Sequence, residues 1–586
     1  NTEDSPSTTP ITVEVGSLAG GAGAKGNVGL GAYTTLEVGD ASNTSFDGTM
    51  TGAGSLTKVG DGTLTLTRSN IYTGTTTISA GTLQAGGETA GGTALGSIGT
   101  GAISIAQNAT LAINRSNTYI LAQQIAGAGS LEQLGSGRLL ITADNYDADN
   151  STGLTGSVTA TAGTLGVYHN EALGTSTVTL GDSTGTVDLL IGRAVSDIGN
   201  NITLAGDVDV SFDRSVEYLI VAGGGGGGAW VGGGGGAGGV LRGSEMFAEG
   251  ELNISVGAGG AGQVNYNGTA TKGSDSAITE FGKTAFGGGQ GGDWDTQAGT
   301  GGSGGGQGST GSAVAGTTGQ GYSGGIAHKS VTTTNTIGHP TGGGGGAGGP
   351  GGNWSTTKAG DGGIGVFVDW AASAGLGESG WFGGGGGGGV HGFSSADAAA
   401  GVGGLGGGGN GIAKSATAAQ SGTDGTGGGG GGAGNSSSNA SRGGDGGSGI
   451  VAVAYLGGAA GSGGSVTQTT GTGAGYTVHS FTNTSASSTL TLDALAATFS
   501  GNISGSGSSA FGLDATGGTV TLSGANTYAG DTSITGGTVE VISASGLGSG
   551  SAVTIADKAG TTLKVTNPNA TPSASNAINL TIGSLA

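Results

Sequence analysis

Residues 221–239 read VAGGGGGGAWVGGGGGAGG. Glycine loses more backbone freedom on folding than any other residue, so a run like this ought to be a flexible linker. Its surroundings argue otherwise. The run is entered through VEYLI at 216–220, an apolar β-rich stretch, and it holds Trp230 in its middle. All five tryptophans of the chain (Trp230, Trp294, Trp354, Trp370 and Trp381) lie among oligoglycine blocks. Tryptophan in a linker would only make it adhesive. The region 217–457 is therefore expected to fold. Two apolar strands, Tyr218–Val221 and Ile450–Tyr455, are expected to pair with each other and close it.

A fold made of glycine has one physical route. Extended helices with three residues per turn point their N–H and C=O groups outward. With only hydrogen as side chain, such rods pack side by side and bond laterally, helped by Cα–H···O contacts. Six or seven glycines give a rod of roughly 20 Å. Ordering the backbone costs about 1–2 kcal/mol per residue, which dense lateral bonding and aromatic caps at the turns must offset.

Composition narrows the rest. Among 586 residues, 146 are Gly, 6 are Pro and 9% are charged, which excludes collagen and highly charged disorder. The net charge is −22, so no basic surface for nucleic acid is present and anionic membranes repel the chain. Cysteine is absent, which removes disulfides, thiolate catalysis and cysteine-based zinc sites. No apolar run is long enough to span a bilayer as a helix. The start at Asn1 without a signal-peptide core reads as a processed or excised segment.

Outside the glycine region the chain repeats itself. GTLTLTRSNIYTGTTTISAGTLQAG (62–86) aligns without a gap on GTVTLSGANTYAGDTSITGGTVEVI (518–542). Asn70 meets Asn526, Tyr72 meets Tyr528 and Gly81 meets Gly537. A degenerate copy spans 127–167 and shares GAGSL with 52–56. Alternating strands such as TLTLT bury one face each, which a single unit cannot cover but a stack of coils can. The pattern predicts an all-β chain, with right-handed parallel β-helix or solenoid segments flanking a domain of packed polyglycine II helices. The Asn and Gly positions are expected to be turns with φ > 0. The expected domains are an N-terminal arm with first strands (1–39), a solenoid (40–216), the glycine-rich domain (217–457) and a second solenoid segment (458–586).

GAGSLTKVGDGTLTL, from Gly52 to Leu66, closely resembles the G-x-G-x-L-x-K-x-G-x-G-x-L-x-L repeat of bacterial autotransporter passenger regions. The resemblance covers roughly 40–240 and 480–586 and implies a secreted β-solenoid at the bacterial cell surface. A translocator barrel is not recognisable, so the chain reads as a cleaved passenger or as part of a protein exported by another route. The bracket YLIVAGGGGGG…GGSGIV resembles glycine-rich domains of large bacterial surface proteins and, more distantly, phage tail-fibre tip adhesins. One departure stands out: the family's Y-T-[IV]-H-x-F-T strand precedes its glycine bracket, whereas GYTVHSFTNTS (475–485) follows it here. Either the order is permuted or a second, degraded copy begins there.

Catalytic motifs are poor: there are five histidines and no HExxH, nucleophile elbow or P-loop. Asp144, Asp147 and Asp149 cluster, and Asp293 and Asp295 flank Trp294. Each group is read first as turn carboxylates and secondarily as an acid pair or calcium loop. Asp445 lies in GGDGGSGIV, one unit of a calcium nonapeptide pattern that needs tandem copies. No cofactor is expected, with calcium as the secondary option. Trp230, Trp294, Trp354 and Trp381 are candidates for ligand binding or self-association, against the plainer role of capping glycine rods. The expected function is a non-enzymatic extracellular structural or adhesive surface protein that self-assembles, as a homo-oligomer or filament, through strand edges and solenoid ends. The alternatives are an adhesin tip binding glycans or host or cell-surface receptors and, more remotely, a polysaccharide-degrading β-helix enzyme.

Overall fold

The computed structural model describes residues 9–585 apart from 21–25, 88–95, 147–152, 183–184, 266–267, 310, 329–338, 393–397, 414–417, 435–440, 471–474, 549–551 and 567–583. The chain forms two compact units. One comprises Asn1–Arg214, Leu456–Ala460 and Ala494–Ala586; the other comprises Ser215–Tyr455 and Gly461–Asp493. Among the described residues the only α-helix is Asp369–Ser373.

The first unit is a parallel β-solenoid. Its short strands alternate as the sequence requires: Thr63–Leu66 and Ser55–Lys58 each bury every second residue. Strands of successive coils pair in parallel into sheets of six, nine and twelve strands. Coils take about 20 to 28 residues, as bonds between equivalent positions show. Inward residues stack in columns, which is how each coil covers the face its neighbour cannot. One column runs Leu64, Leu83, Leu111, Leu131, Val158, Val178 and Ile202, each in register with the next. It then continues from Ile202 to Ile503. Asp197–Ile198 likewise pairs with Thr498–Phe499, and Val208 with Phe511. The strands after the insertion therefore stack on the strands before it, in one continuous ladder.

The repeat glycines behave as expected, the asparagines do not. Gly81, Gly163 and Gly537 sit at φ +63°, +65° and +65°, the left-handed region that a side chain resists. Asn70, Asn145 and Asn526 are absent from the positive-φ residues and are buried. Each ties together three successive coils. Asn70 Oδ1 accepts from Met50 N–H at 2.7 Å, and its Nδ2 donates to the Ser97 carbonyl at 2.7 Å. Asn145 links Ile125 N–H to the Ala172 carbonyl, and Asn526 links Ile503 N–H to the Gly546 carbonyl. The expectation that these asparagines form left-handed turns is thus corrected. A short amide with a donor and an acceptor on one carbon satisfies backbone groups that the solenoid corner would otherwise bury unpaired.

The second unit carries two five-stranded sheets and an array of glycine rods. Ser215–Val221 pairs antiparallel with Ile450–Leu456, with Tyr218 opposite Val453 and Val221 opposite Ile450, so the bracket strands do close on each other. Tyr476–Phe481 takes the place beside Ile450–Leu456 in the same sheet. The displaced sequence order therefore still delivers that strand to the glycine unit.

Beyond Val221 the chain becomes a rod with a three-residue bonding period. The N–H groups of Gly223 and Gly226 donate to 271–274, those of Gly224 and Gly227 to 444–447, and those of Gly225 and Gly228 to 233–236. The carbonyls of 223–228 accept in the same rhythm from 288–291, 260–263 and 430–433. Six neighbours surround one rod, and every amide from 223 to 228 is used on both sides. A Cβ added at Gly224, Gly226 or Gly227 would lie 2.1, 2.1 or 2.0 Å from a neighbour's carbonyl oxygen, so the spacing admits only glycine. At the strand end of the rods the core closes with Val221, Val240, Trp370, Phe382 and Ile450.

Candidate functional site

The polar side chains of the repeats serve the backbone. Lys58, the lysine of the passenger-type motif, is 1% exposed. Its Nζ donates to the carbonyls of Val59, Gly60 and Ala80 at 2.7, 2.7 and 3.2 Å. Burial lowers its pKa, partly opposed by Asp61 and Asp40. In the degenerate copy Gln133 stands in the equivalent place and donates to Gly135 and Gly137 carbonyls at 2.7 and 3.1 Å. Tyr72 and Tyr528 are fully buried, with hydroxyls 2.7 and 2.8 Å from the Thr76 and Thr532 hydroxyls. Burial pushes Tyr528 up to about 12.

The carboxylates singled out in the sequence have protein partners. Asp293 is buried; its Oδ1 accepts from the N–H groups of Asp295 and Thr296, and its Oδ2 accepts from Gln263 Nε2 at 2.7 Å. Asp295 is exposed in that turn. Asp445 pairs with Arg442 at 2.8 Å and accepts from Gly262 N–H at 2.8 Å. Asp144 caps its own turn by accepting from Tyr146 N–H, while Asp147 and Asp149 lie outside the described residues. Among the described residues no group of three or more His, Asp or Glu is placed to hold a metal ion.

The tryptophans divide between the two ends of the rods. Trp230 follows the rod 223–228 and Trp294 follows 286–292; their rings lie 5.9 Å apart, edge to face. Trp230 also meets His391 at 5.4 Å, and Trp294 meets His339 at 5.8 Å. His328 joins through His339 at 6.2 Å and through Trp354 at 4.3 Å. Three tryptophans and three histidines thus gather at one rod end. Trp381 does not belong with them. It precedes the rod 383–389 whose far end carries His391, and it packs on Phe367 at 5.4 Å. The sequence reading missed the histidines, although each adjoins a glycine block: GGGV before His391, HPTGGGGG from His339 and GGIA before His328.

Two features distinguish this cluster from plain packing. Trp230 has φ +68°, a conformation that bulky residues adopt only when their surroundings impose it. Burial lowers the pKa of His339, and the neighbouring His328 lowers it further.

Comparison with known proteins follows the same division of the chain. A family model for a glycine-rich domain matches residues 203–456, and one for the passenger-associated-transport-repeat matches 56–85 and 517–541. This is an autotransporter-type passenger with a glycine-rich domain. The passenger is 28% identical over 160 residues to an adhesin, the BmaC autotransporter of Brucella suis biovar 1 (strain 1330). That match takes in 24% of this chain and 5% of the relative's length. No solved structure matches the passenger. Both repeat matches contain a coil corner described above: Lys58 and Tyr72 in the first, Asn526 and Tyr528 in the second.

Proposed function

We propose that this passenger is a non-enzymatic, extracellular adhesive protein of the bacterial surface, and that its glycine-rich unit is an array of polyglycine II rods with the aromatic cluster as its contact surface. The observation carrying the reading is the convergence of Trp230, Trp294 and Trp354 at one rod end, with Trp230 held at positive φ. Half-buried aromatic faces beside glycine backbone suit the flat apolar faces of sugar rings or an apolar patch on a receptor. Likeness to an adhesin supports the adhesive part. The test is attachment of cells displaying the passenger, with and without Trp230→Ala and Trp294→Ala. Equal attachment by both variants, with silence on a glycan array, would sink the contact-surface reading.

A second reading, self-assembly, rests on a different observation. Ile11–Val15 is the outermost strand of the six-stranded sheet, and Ile11 and Val13 are 54% and 51% exposed. An unpaired strand edge with exposed aliphatics is a ready joint for another strand. Electron microscopy across concentrations tests it; monomers throughout would end it.

A further inference from the structure

The rods are not all equally surrounded. Rod 223–228 has six neighbours, but rod 443–449 has four. Its N–H groups donate to 257–263 (from Gly443, Gly446 and Gly449) and to 428–431 (from Gly444 and Gly447). Its carbonyls at Gly444 and Gly447 accept from 224–227, and that at Asp445 accepts from Gly422. Among the described residues, the carbonyls of Gly443 and Gly446 receive no N–H.

Inside the array each carbonyl has two visitors. Gly431 oxygen, for example, accepts from Gly444 N–H while the Cα of Gly227 rests on it, a Cβ there being only 2.0 Å away. Gly446 and Gly443 oxygens keep the second visitor alone: the Cα atoms of Gly259 and Gly262 rest on them, where a Cβ would come within 1.8 and 2.2 Å. The two oxygens are three residues apart, about 9 Å along a three-per-turn rod. On the neighbouring rod, Gly259 N–H has no partner among the described residues. Gly262 N–H, one period on, is bonded by the Asp445 carboxylate instead of by a rod.

The Gly446 oxygen and the Gly259 N–H border a groove of about 780 Å³, lined also by Gly260, Ala261, Ser448 and Thr482, whereas Gly443 and Gly262 are buried beside it. Most of its walls are small side chains, with Asp424 and the Arg442–Asp445 ion pair at one side.

We propose that this groove is a vacant lane of the array, and that it takes an extended, glycine-rich chain of another polypeptide in the three-residue-per-turn conformation. The incoming chain supplies an N–H group to Gly446 and a carbonyl to Gly259. It carries glycine at every third position, because only a Cβ-free face fits at the distances seen between rods. The other two positions face solvent and tolerate side chains. A second folded copy does not serve as donor, since its glycine runs are already used within its own array. The binding is the polyglycine counterpart of adding a strand to a sheet edge.

The test uses the intact chain and a dodecapeptide of repeated Gly-Gly-Ser, with repeated Ala-Ala-Ser as control, followed by fluorescence anisotropy. The glycine peptide is expected to bind and the alanine peptide to bind at least about tenfold more weakly. Ala261→Trp and Thr482→Trp, both at exposed positions that fill the groove, are expected to weaken binding by a similar factor with an unchanged circular dichroism spectrum. Equal binding of the two peptides, binding indifferent to both tryptophans, or no binding at millimolar peptide would each overturn the proposal. So would self-association that both tryptophans abolish while peptide binding is absent, which would assign the lane to a second copy.

Discussion

Ile202 and Ile503 lie side by side in one parallel sheet, although the whole glycine-rich insertion separates them in sequence. The bond from Ser504 Oγ to the Ile202 carbonyl spans 302 residues of chain. The solenoid thus treats the insertion as one long corner. Replacing Ser215–Tyr455 and Gly461–Asp493 with short Gly-Ser linkers, so that Leu456–Ala460 stays in the solenoid, is expected to leave a β-rich, cooperatively unfolding protein. Loss of the β circular dichroism signal in that deletion would show that the stack depends on the inserted unit.

Asparagine bridging makes a sharp mutational forecast. Asn70→Ala or Asn526→Ala orphans a buried N–H in one coil and a carbonyl two coils on. Each is expected to cost about 2–4 kcal/mol in denaturant unfolding. Asn70→Gly, which would suit a left-handed turn, should be no better than alanine.

Lys58 gives a graded series. Lys58→Met strips the donor from three carbonyls and is expected to destabilise by about 2–4 kcal/mol. Lys58→Gln should recover much of that, since Gln133 already performs the equivalent task. A glutamine variant as unstable as methionine would mean that the charge, not the donor, matters.

The glycine array predicts a contrast within one unit. Gly226→Ala forces a Cβ to 2.1 Å from the Ala261 oxygen and should cost more than about 3 kcal/mol or abolish folding of that unit. Gly268→Ala meets nothing closer than 3.6 Å and should be near neutral. Hydrogen exchange offers a parallel check, with the amides of Gly223–Gly228 expected among the slowest in the chain.

Acid should weaken the glycine-rich unit through His479. Its Nδ1 donates to the Gly463 carbonyl at 2.8 Å, so the neutral ring's Nε2 accepts from the Tyr455 hydroxyl at 3.0 Å. Burial lowers its pKa below the ordinary 6.5, and His339 is lowered by burial and by His328. The unfolded chain therefore takes up protons first. Stability is expected to be flat above about pH 6.5 and to fall as pH drops from there through the folded pKa values. Denaturation midpoints at about pH 7.5 and about pH 5 check this, and His479→Gln should shrink the difference.

How much of this was legible beforehand follows from where the information sits. Period-two strands such as Thr63–Leu66 carry their buried face in the side chains, so the solenoid and its repeats could be read directly. The oligoglycine blocks betrayed an ordered region through their tryptophans and flanking strands. The division of those tryptophans was not legible, because which end of a rod each occupies depends on the direction in which the chain re-enters the array. Asn70 was misread for a related reason: a turn and a bridge between coils call for the same residue type, and only the positions of Met50 and Ser97 decide between them.

By itself, then, the sequence determined that the chain is all-β, that its coils repeat, and that glycine builds rather than interrupts. Tertiary structure alone decided which rods are neighbours, since one glycine run has no side chain to tell it from another and recognition passes through backbone N–H and C=O groups alone. It also decided that the coils before and after the insertion form one ladder, because Ile202 is as able to cover Ile503 as any other aliphatic of the column.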